Sequence, residues 1–228
     1  MSDGLVSVVL PVHNQADHIC AIVEEHLAGL RRIGRPVEVV LVPNGCRDDS
    51  PALCAAMAAA HPEVRVVPSD PGGWGRAVRT GLAAAKGELL CYTNSARTSP
   101  EELTLLVLYA TVHPGTVVKA NRKIRDHWSR RLGSLVYNLE CRALFDLSNW
   151  DVNGTPKVFP RTCDQLLRLT RNDDLIDAEF NLICRRAEYP MLEVPVFSHR
   201  RHGGTSTTSL RSAVRMYWGA WQMARAHA

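Results

Sequence analysis

Arginines that could bind phosphate are the most conspicuous chemistry-bearing residues in the second half of the chain. Arg130, Ser134 and Asn138 are spaced four residues apart in a helical pattern, so they would share one helix face. Arg122 follows an apolar run, and Arg201 begins the segment RHGGTS. Because a guanidinium group binds phosphate oxygens in pairs, this distribution predicts a phosphate site. A solvated basic helix face is the alternative interpretation.

Three loops of the first half could line a nucleotide pocket. Residues 13–15 follow the apolar run LVSVVLPV, and Asn44 follows VEVVLV, where its amide can hydrogen-bond a base or a ribose. The segment GGWG (72–75) opens a helical pattern, so its backbone amides and the helix dipole could face a diphosphate. An ordinary tight turn at Asn44-Gly45 and plain loop glycines at 72–75 are the alternatives.

The elements that must position these residues alternate in type. Apolar runs bounded by turn residues predict strands at 5–12, 37–42, 64–67, 88–93, 116–120 and 192–197. Helices are expected between them, with starts at Ser50-Pro51 and at SPEE (99–102), which has a capping-box sequence. Strands that are apolar throughout are buried on both faces. The pattern therefore predicts an α/β fold with a Rossmann-like, mostly parallel central sheet and helices on both faces.

After residue 120 this regular alternation ends. A basic helical segment spans about 128–147, the segment DVNGTPKVF (151–159) is predicted as a loop, and another helix precedes the last strand. We expect this half to lie over the carboxyl ends of the sheet, where open α/β sheets bind their ligands.

Composition excludes several classes of protein. The 228 residues are 46% hydrophobic and 22% charged, which excludes a disordered or collagen-like chain. Net charge is only +4, four of the 27 basic residues are lysines and the other 23 are arginines, and no nucleic-acid partner is predicted. The seven cysteines never form C-x-x-C, so we interpret them as reduced packing residues.

Membrane association is expected to be peripheral at most. No window of eighteen uncharged apolar residues occurs, and the first residues lack the pattern of a signal peptide. We therefore expect a cytoplasmic protein, soluble or peripheral at the inner membrane face. Residues 208–228 predict an amphipathic helix that either docks on the domain or rests on anionic lipid.

Five motifs in order resemble family 2 glycosyltransferases of the glycosyltransferase-A fold. They are VSVVLPVHNQADHI, VEVVLVPNGCRDDSP, DPGGWGRAVRTGLAAAKGELL, DVNGTPKVFPR and DAEFNLICRRAEYPMLEVPVFSHRRHGGTS. The last two, with NRKIRDHWSRRLGSLVYN, are similar to the dolichol-phosphate mannosyltransferase and polyprenyl-phosphate sugar transferase branch. The resemblance implies a single domain over 1–207, with a nucleotide-sugar half (1–120), an acceptor half (121–207) and a carboxyl-terminal helix (208–228).

The resemblance also implies roles for individual residues. The donor nucleotide sugar would contact Pro11, His13, Asn14, Gln15, Asn44, Gly75, Arg79, Thr93, Asn94, Ser95 and Arg97. The acceptor would contact Arg122, Arg130, Ser134, Lys157 and Glu179, and the catalytic residues would be Asp177 and Arg201. Asp177 would be a general base for a hydroxyl acceptor, or only an orienter of arginines for a phosphate acceptor, which is already anionic.

The chain departs from the family at the metal motif. The usual Asp-x-Asp falls on Thr93-Asn94-Ser95, which supplies only neutral oxygens, and Gln15 and Asn44 replace acidic residues of the family. We therefore predict no protein metal ligand and no tightly bound cofactor, with Mg²⁺ or Mn²⁺ entering only together with the nucleotide sugar.

The expected activity is inverting transfer of a sugar from a nucleotide diphosphate sugar to a polyprenyl phosphate or to a small hydroxyl acceptor. Metal dependence would be weak or absent. The alternative is a catalytically inactive transferase fold that binds nucleotide sugars.

Overall fold

The computed structural model describes residues 4–124, 128–197 and 210–227, apart from the side chains of 124, 128–132, 210–214 and 226–227. Its strands are β1 (Val6–Val12), β2 (Val37–Pro43), β3 (Val64–Val66), β4 (Leu89–Tyr92), β5 (Val117–Ile124), β6 (Lys157–Pro160) and β7 (Met191–Phe197). Its α-helices are α1 (Ile19–Arg31), α2 (Ser50–Ala60), α3 (Trp74–Ala84), α4 (Pro100–Val112), α5 (Trp128–Phe145), α6 (Ile176–Arg186) and α7 (Leu210–His227). A 3₁₀ helix spans Asp164–Arg168.

The strands form one sheet in the order β3-β2-β1-β4-β6-β5-β7. All neighbouring strands are parallel except at β6, which is antiparallel to both β4 and β5. The chain moves from β1 outward to β2 and β3, then returns to β4 on the other side of β1. The loops after β1 and β4 therefore lie side by side at the topological switch point, where the strand order reverses and such sheets hold ligands.

Buried side chains cover both faces of the sheet. One apolar cluster joins the sheet to α1, α2 and α4, and a second joins its other face to α3 and α6. A third cluster lies between α5, α6 and α7. The predicted α/β architecture with helices on both faces is confirmed.

Local sequence signals position the helix starts. Ser99 Oγ accepts the Glu102 amide at 3.2 Å while Glu102 Oε2 accepts the Ser99 amide at 3.4 Å, so the predicted capping box opens α4. Pro51 lies in the first turn of α2 as expected. None of the helices in the described ranges is long and apolar enough to cross a bilayer.

One predicted element is wrong. The sequence predicts a loop over 151–159, but from Lys157 onward the segment belongs to β6, inside the sheet between β4 and β5. The run KVFP is short and begins with a lysine, so its sequence resembles a surface turn. It is buried because Lys157 has an anionic partner inside the fold.

Candidate active site

A hydrogen-bonded brace joins the two loops of the switch point. The Ser95 hydroxyl, after β4, donates to Gln15 Oε1 at 2.7 Å, with the carbonyl of Pro11 at 3.3 Å. Both Ser95 and Gln15 are buried. The predicted donor residues Pro11, Gln15 and Ser95 are thus brought together, and their polar atoms bind one another.

The other two residues of the triplet also bond locally. Thr93 Oγ1 lies 2.5 Å from Thr98 Oγ1 in a buried pair, and Asn94 Oδ1 accepts the Ala96 amide at 3.1 Å. The amide groups of Arg97 and Thr98 donate to the Asn94 carbonyl. Residues 94–98 therefore form a tight turn at the carboxyl end of β4, and Arg97 is half-buried within it.

Asn44 connects β1, β2 and the start of α3. Its Nδ2 donates to the Val12 carbonyl at 2.8 Å, and its Oδ1 accepts the Gly73 amide at 3.2 Å. His13 Nδ1 lies 2.7 Å from the Asn44 carbonyl, and the exposed Asn14, at φ +50°, accepts the Arg47 amide at 2.8 Å. The predicted donor residues at 13, 14 and 44 therefore lie together at the carboxyl edge.

The amino terminus of α3 faces protein carbonyls. The Arg76 amide donates to the Asn172 carbonyl at 3.1 Å, and a Cβ added to Gly75 would lie 2.6 Å from the Arg171 carbonyl. Arg79 donates to Asn172 Oδ1 at 2.5 Å and to the Thr170 carbonyl at 3.1 Å. Gly75 and Arg79 thus position the loop 170–173 beside the predicted donor edge, which is formed by the loops after β1, β2 and β4.

Glu179 holds the same loop from the other side. Its carboxylate accepts the amides of Thr170 and Arg171 and the Thr170 hydroxyl, at 2.5–3.1 Å. The side chain is buried. The carboxylate of Glu179, a predicted acceptor residue, is therefore occupied by hydrogen bonds that hold this loop.

Asp177 is the centre of a buried polar network. Its carboxylate accepts Tyr92 Oη–H at 2.9 Å, Trp74 Nε1–H at 3.1 Å and the Lys157 ammonium group. Asp177 is 5% exposed and Lys157 is 0% exposed. Burial lowers the pKa of Lys157 against the opposing attraction of Asp177, whereas burial and the Asp177 charge both raise the pKa of Tyr92. Lys157 thus faces the interior and neutralises Asp177.

Arg122 is held by a fork of two hydrogen bonds. Its Nε and Nη2 each lie 2.7 Å from an oxygen of Asp151, whose Oδ2 also accepts the Arg122 amide at 2.9 Å. Asp151 is buried, whereas the Arg122 side chain is 20% exposed. This pair fixes the direction of the guanidinium group at the end of β5.

A second ion pair supports the loop that carries Asp151. Lys119 Nζ binds Glu193 Oε1 at 2.8 Å and the carbonyls of Trp150 and Asp151, and Glu193 Oε2 accepts the Trp150 amide at 2.9 Å. Burial lowers the pKa of Lys119, and the Glu193 charge opposes this effect.

Helix α5 contacts the same loop through polar residues. Asn138 Oδ1 accepts the Val152 amide at 2.8 Å, and Asn138 Nδ2 donates to Ser134 Oγ at 3.4 Å. Arg122 and Asn138 therefore bind residues 151 and 152 directly, and Ser134 contacts Asn138. Arg130 lies on α5 with its side chain outside the described residues, and Arg201 lies outside them altogether.

Sequence reasoning missed Tyr92, Trp74, Lys119 and Glu193. Lys119 carries a usable signal, since a charge inside the apolar run TVVKA predicts a buried partner. Nothing in the sequence shows that Trp74 and Tyr92 meet Asp177, because that contact joins residues 85 or more positions apart. Within the described ranges, no group of three His, Cys, Asp or Glu side chains is arranged to hold a metal ion.

Curated relatives carry the name undecaprenyl-phosphate 4-deoxy-4-formamido-L-arabinose transferase. The protein from Pectobacterium atrosepticum is 29% identical over 220 residues, which cover 93% of this chain and 65% of the relative. The one from Pseudomonas fluorescens is 25% identical over 210 residues, covering 90% of this chain and 61% of the relative. The chain thus spans less than two thirds of the length of these relatives.

Solved structures share the fold. Glucosyl-3-phosphoglycerate synthase from Mycobacterium tuberculosis, in complex with Mn²⁺, UDP and phosphoglyceric acid, superposes with a TM-score of 0.71 at 19% identity, covering 97% of this chain and 78% of that one. The complex of the same synthase with glucosyl-3-phosphoglycerate, UDP and Mn²⁺ superposes with a TM-score of 0.72 at 18% identity. This match covers 97% of this chain and 80% of that one. The predicted glycosyltransferase-A fold is confirmed.

The sequence profile described as glycosyl transferase family 2 matches residues 7–162. The matched segment runs from β1 through β6, so it contains the donor edge, Arg122 and the Asp151 loop. Because this match covers more than half of the chain, the protein belongs to glycosyl transferase family 2, as its motifs predicted.

Proposed function

We propose that this protein transfers a sugar from a nucleotide diphosphate sugar to a polyprenyl phosphate. The observation that carries the proposal is that three buried carboxylates of the acceptor half are already occupied by hydrogen bonds or ion pairs within the protein. Asp177 accepts three donors including Lys157, Glu179 holds the loop 170–173, and Asp151 is paired with Arg122. A hydroxyl acceptor needs a carboxylate or another base to take its proton, whereas a phosphate monoester attacks as an anion.

The acceptor phosphate would bind beside Arg122. Asp151 aligns the guanidinium group, whose remaining N–H groups suit phosphate oxygens, and Ser134 lies on the adjacent face of α5. Arg130 and Arg201 are proposed partners of the acceptor and donor phosphates on the strength of their motifs. The names of the curated relatives, which contain undecaprenyl phosphate, support this acceptor class.

The proposed reaction is a single displacement. An acceptor phosphate oxygen forms a bond to the anomeric carbon, and the bond from that carbon to the donor diphosphate oxygen breaks with its electron pair. The nucleoside diphosphate leaves from the opposite face, so configuration at the anomeric carbon inverts. The protein contributes by positioning the two anions and by stabilising the leaving group.

A matched acceptor pair tests this function. The protein is incubated with a panel of nucleotide sugars and either undecaprenyl phosphate or undecaprenol, which differ only in the phosphate group. We expect glycolipid product from the phosphate alone, detected by mass spectrometry. Product from undecaprenol, or none from undecaprenyl phosphate with any donor, would contradict the proposal.

An aromatic and basic surface supports a lipid acceptor. On α7, Trp218 and Trp221 stack at 4.9 Å between ring centroids, Trp218 is 58% exposed, and Arg225 lies 4.7 Å from the Trp221 ring. Residues 208–228 contain no acidic residue. Such a surface fits anionic phospholipid at a membrane interface, so peripheral contact at the inner face of a cytoplasmic membrane belongs to the proposal.

Helix α5 packs beside α7 and also exposes apolar side chains. Tyr137 and Tyr217 pack edge to face at 5.6 Å, and Tyr217 Oη donates to the Gly133 carbonyl at 2.7 Å, so the two helices lie side by side. Leu135, Val136 and Leu139 of α5 are exposed. The pair of helices thus presents an apolar surface beside the proposed acceptor residue Ser134.

Vesicle sedimentation tests the membrane contact. Trp218→Ser with Trp221→Ser should reduce binding to phosphatidylglycerol vesicles about tenfold or more, because each buried indole contributes through its apolar area. Leu108→Ser with Val112→Ser, on the exposed face of α4, is the matched control and should bind as wild type. Equal binding by the tryptophan variant would remove this surface from the proposal.

A nucleotide-sugar-binding protein without turnover is the second candidate. The neutral Thr93-Asn94-Ser95 triplet favours it, since an acidic motif at this position is the usual catalytic feature of the family. This candidate predicts saturable nucleotide-sugar binding and no product with either acceptor.

A further inference from the structure

The fold implies a divalent cation at the carboxyl end of β4. The solved neighbours are described as complexes with Mn²⁺ and UDP, and the family resemblance implies that the usual metal-binding motif would fall on Thr93-Asn94-Ser95. Mg²⁺ and Mn²⁺ favour anionic oxygen ligands. Whether this chain can hold such an ion depends on the oxygen atoms that its triplet presents.

The triplet does not fit a cation. The Thr93 hydroxyl is paired with Thr98, the Ser95 hydroxyl donates to Gln15, and Asn94 Oδ1 accepts a backbone amide. Both hydroxyl groups are buried, so a cation would have to break these hydrogen bonds and would gain only neutral ligands. The side chains of the triplet therefore hold the loops after β1 and β4 in place and do not present oxygens to a cation.

The nearby carboxylate of Asp48 is also engaged. Asp48 lies in the loop after β2, where one oxygen accepts the Ala16 amide at 3.0 Å and the other accepts the Ser50 amide at 3.2 Å. These hydrogen bonds hold the pKa of Asp48 below its usual value, although burial alone would raise it. The carboxylate therefore stabilises the two loops rather than a cation.

We infer that this protein binds the donor diphosphate without a protein-held divalent cation, and that arginine replaces the ion as the source of positive charge. This inference rests on the proposed function for the identity of the donor. Arg97 lies within the turn 94–98 that carries Asn94 and Ser95, where its amide donates to the Asn94 carbonyl, and Arg122 lies at the end of β5. A guanidinium group can bind two diphosphate oxygens at once and remains charged at any working pH.

Calorimetry tests the absence of a metal requirement. Mn²⁺ alone is titrated into the full chain, and UDP, GDP, CDP and dTDP are then titrated in EDTA and in excess Mn²⁺. We expect no heat of binding from Mn²⁺ alone, and at least one nucleotide whose affinity in EDTA is within about threefold of its affinity in Mn²⁺. Micromolar Mn²⁺ binding to the free protein, or nucleotide binding that requires Mn²⁺, would overturn the inference. Failure of every nucleotide to bind would also overturn it.

A matched pair of variants tests the replacement by arginine. Arg97→Gln should weaken nucleotide binding in EDTA by about tenfold or more, the effect of losing one charge-assisted contact. Arg32→Gln, an exposed arginine after α1, is the control and should bind as wild type. Unchanged affinity of the Arg97 variant would overturn the role of Arg97.

These outcomes are separable from those of the proposed function. Nucleotide binding in EDTA without sugar transfer to undecaprenyl phosphate would leave the inference standing and remove the proposed activity. Sugar transfer that EDTA abolishes and Mn²⁺ restores would leave the activity standing and remove the inference.

Discussion

The donor edge and the acceptor half stabilise their buried polar groups with different chemistry. At the ends of β1 and β4 the buried groups are neutral, as in the Gln15–Ser95 and Thr93–Thr98 pairs. In the acceptor half and the adjoining strand β5 they are ion pairs, namely Lys157–Asp177, Lys119–Glu193 and Arg122–Asp151. The loss of one partner from a buried ion pair leaves an uncompensated charge, whereas the loss of a neutral partner leaves only an unpaired dipole. The acceptor half should therefore tolerate substitution less well.

Removal of the Asp177 carboxylate should have the largest effect. Asp177→Ala leaves the fully buried Lys157 without its counter-charge, so we expect the free energy of unfolding in urea to fall by about 3–5 kcal/mol. Asp164→Ala is the control, because Asp164 pairs with Arg168 while 58% exposed and its loss should cost less than about 1 kcal/mol. Similar losses for the two variants would contradict the comparison.

Removal of the Ser95 hydroxyl should have a smaller effect on the donor edge. Ser95→Ala leaves Gln15 Oε1 buried without its donor, which predicts a loss of about 1–3 kcal/mol in the same measurement. Thr111→Ala removes an exposed hydroxyl and is the control. A loss for Ser95→Ala that exceeds the loss for Asp177→Ala would reverse the order of the two regions.

Loosening Arg122 should affect the acceptor rather than the donor. Asp151→Asn keeps the shape of the side chain but weakens the fork that aligns the guanidinium group, so we expect the acceptor KM to rise about tenfold. Donor KM and nucleotide affinity should be unchanged. A parallel rise in donor KM would show that Asp151 supports the whole site rather than the direction of Arg122.

Glu38 provides a test by pH. Burial would raise its pKa, but hydrogen bonds from Ser7, from the Lys86 amide and from Arg65 outweigh burial and hold the pKa below its usual value. A carboxyl whose pKa is lower in the folded state stabilises the protein above its unfolded pKa and loses that effect as pH falls. The acid unfolding transition of Glu38→Gln should therefore be less steep below about pH 4.5 than that of wild type. An unchanged transition would contradict the shift.

Short-range sequence signals account for most of the fold. The apolar runs and the capping box before α4 depend on neighbouring residues, and the corresponding strands and helix form as predicted. In contrast, the direction in which a buried charged side chain points depends on the register of the sheet. Lys157 pairs with Tyr92 on one side and with Lys119 on the other, which orients its ammonium group toward α6 and Asp177. No local pattern encodes that register, so the sequence suggested a phosphate contact for Lys157.

The site follows the same division, because its loop positions could be predicted from the sequence and its long-range contacts could not. The loops after β1, β2 and β4 meet at the carboxyl edge because parallel strands end there, and residues 13–15, 44 and 93–95 follow them directly. The engagement of Asp177 by Trp74, Tyr92 and Lys157 joins three separate elements. This long-range contact is the basis for proposing that Asp177 is a structural carboxylate, where the sequence left both a base and an orienting role open.

The central claim, that sugar transfer needs no carboxylate base, is tested most directly by the turnover of a charge-neutral double variant. Asp177→Asn with Lys157→Met removes both charges of the buried pair. The amide oxygen can still accept from Trp74 at the Oδ2 position, and the amide NH2 can donate to the Tyr92 hydroxyl oxygen at the Oδ1 position. With undecaprenyl phosphate as acceptor, we predict that kcat stays within about tenfold of wild type, once unfolding measurements show that the variant is folded. A loss of kcat of about a hundredfold or more in the folded variant would identify Asp177 as a catalytic base and contradict the account.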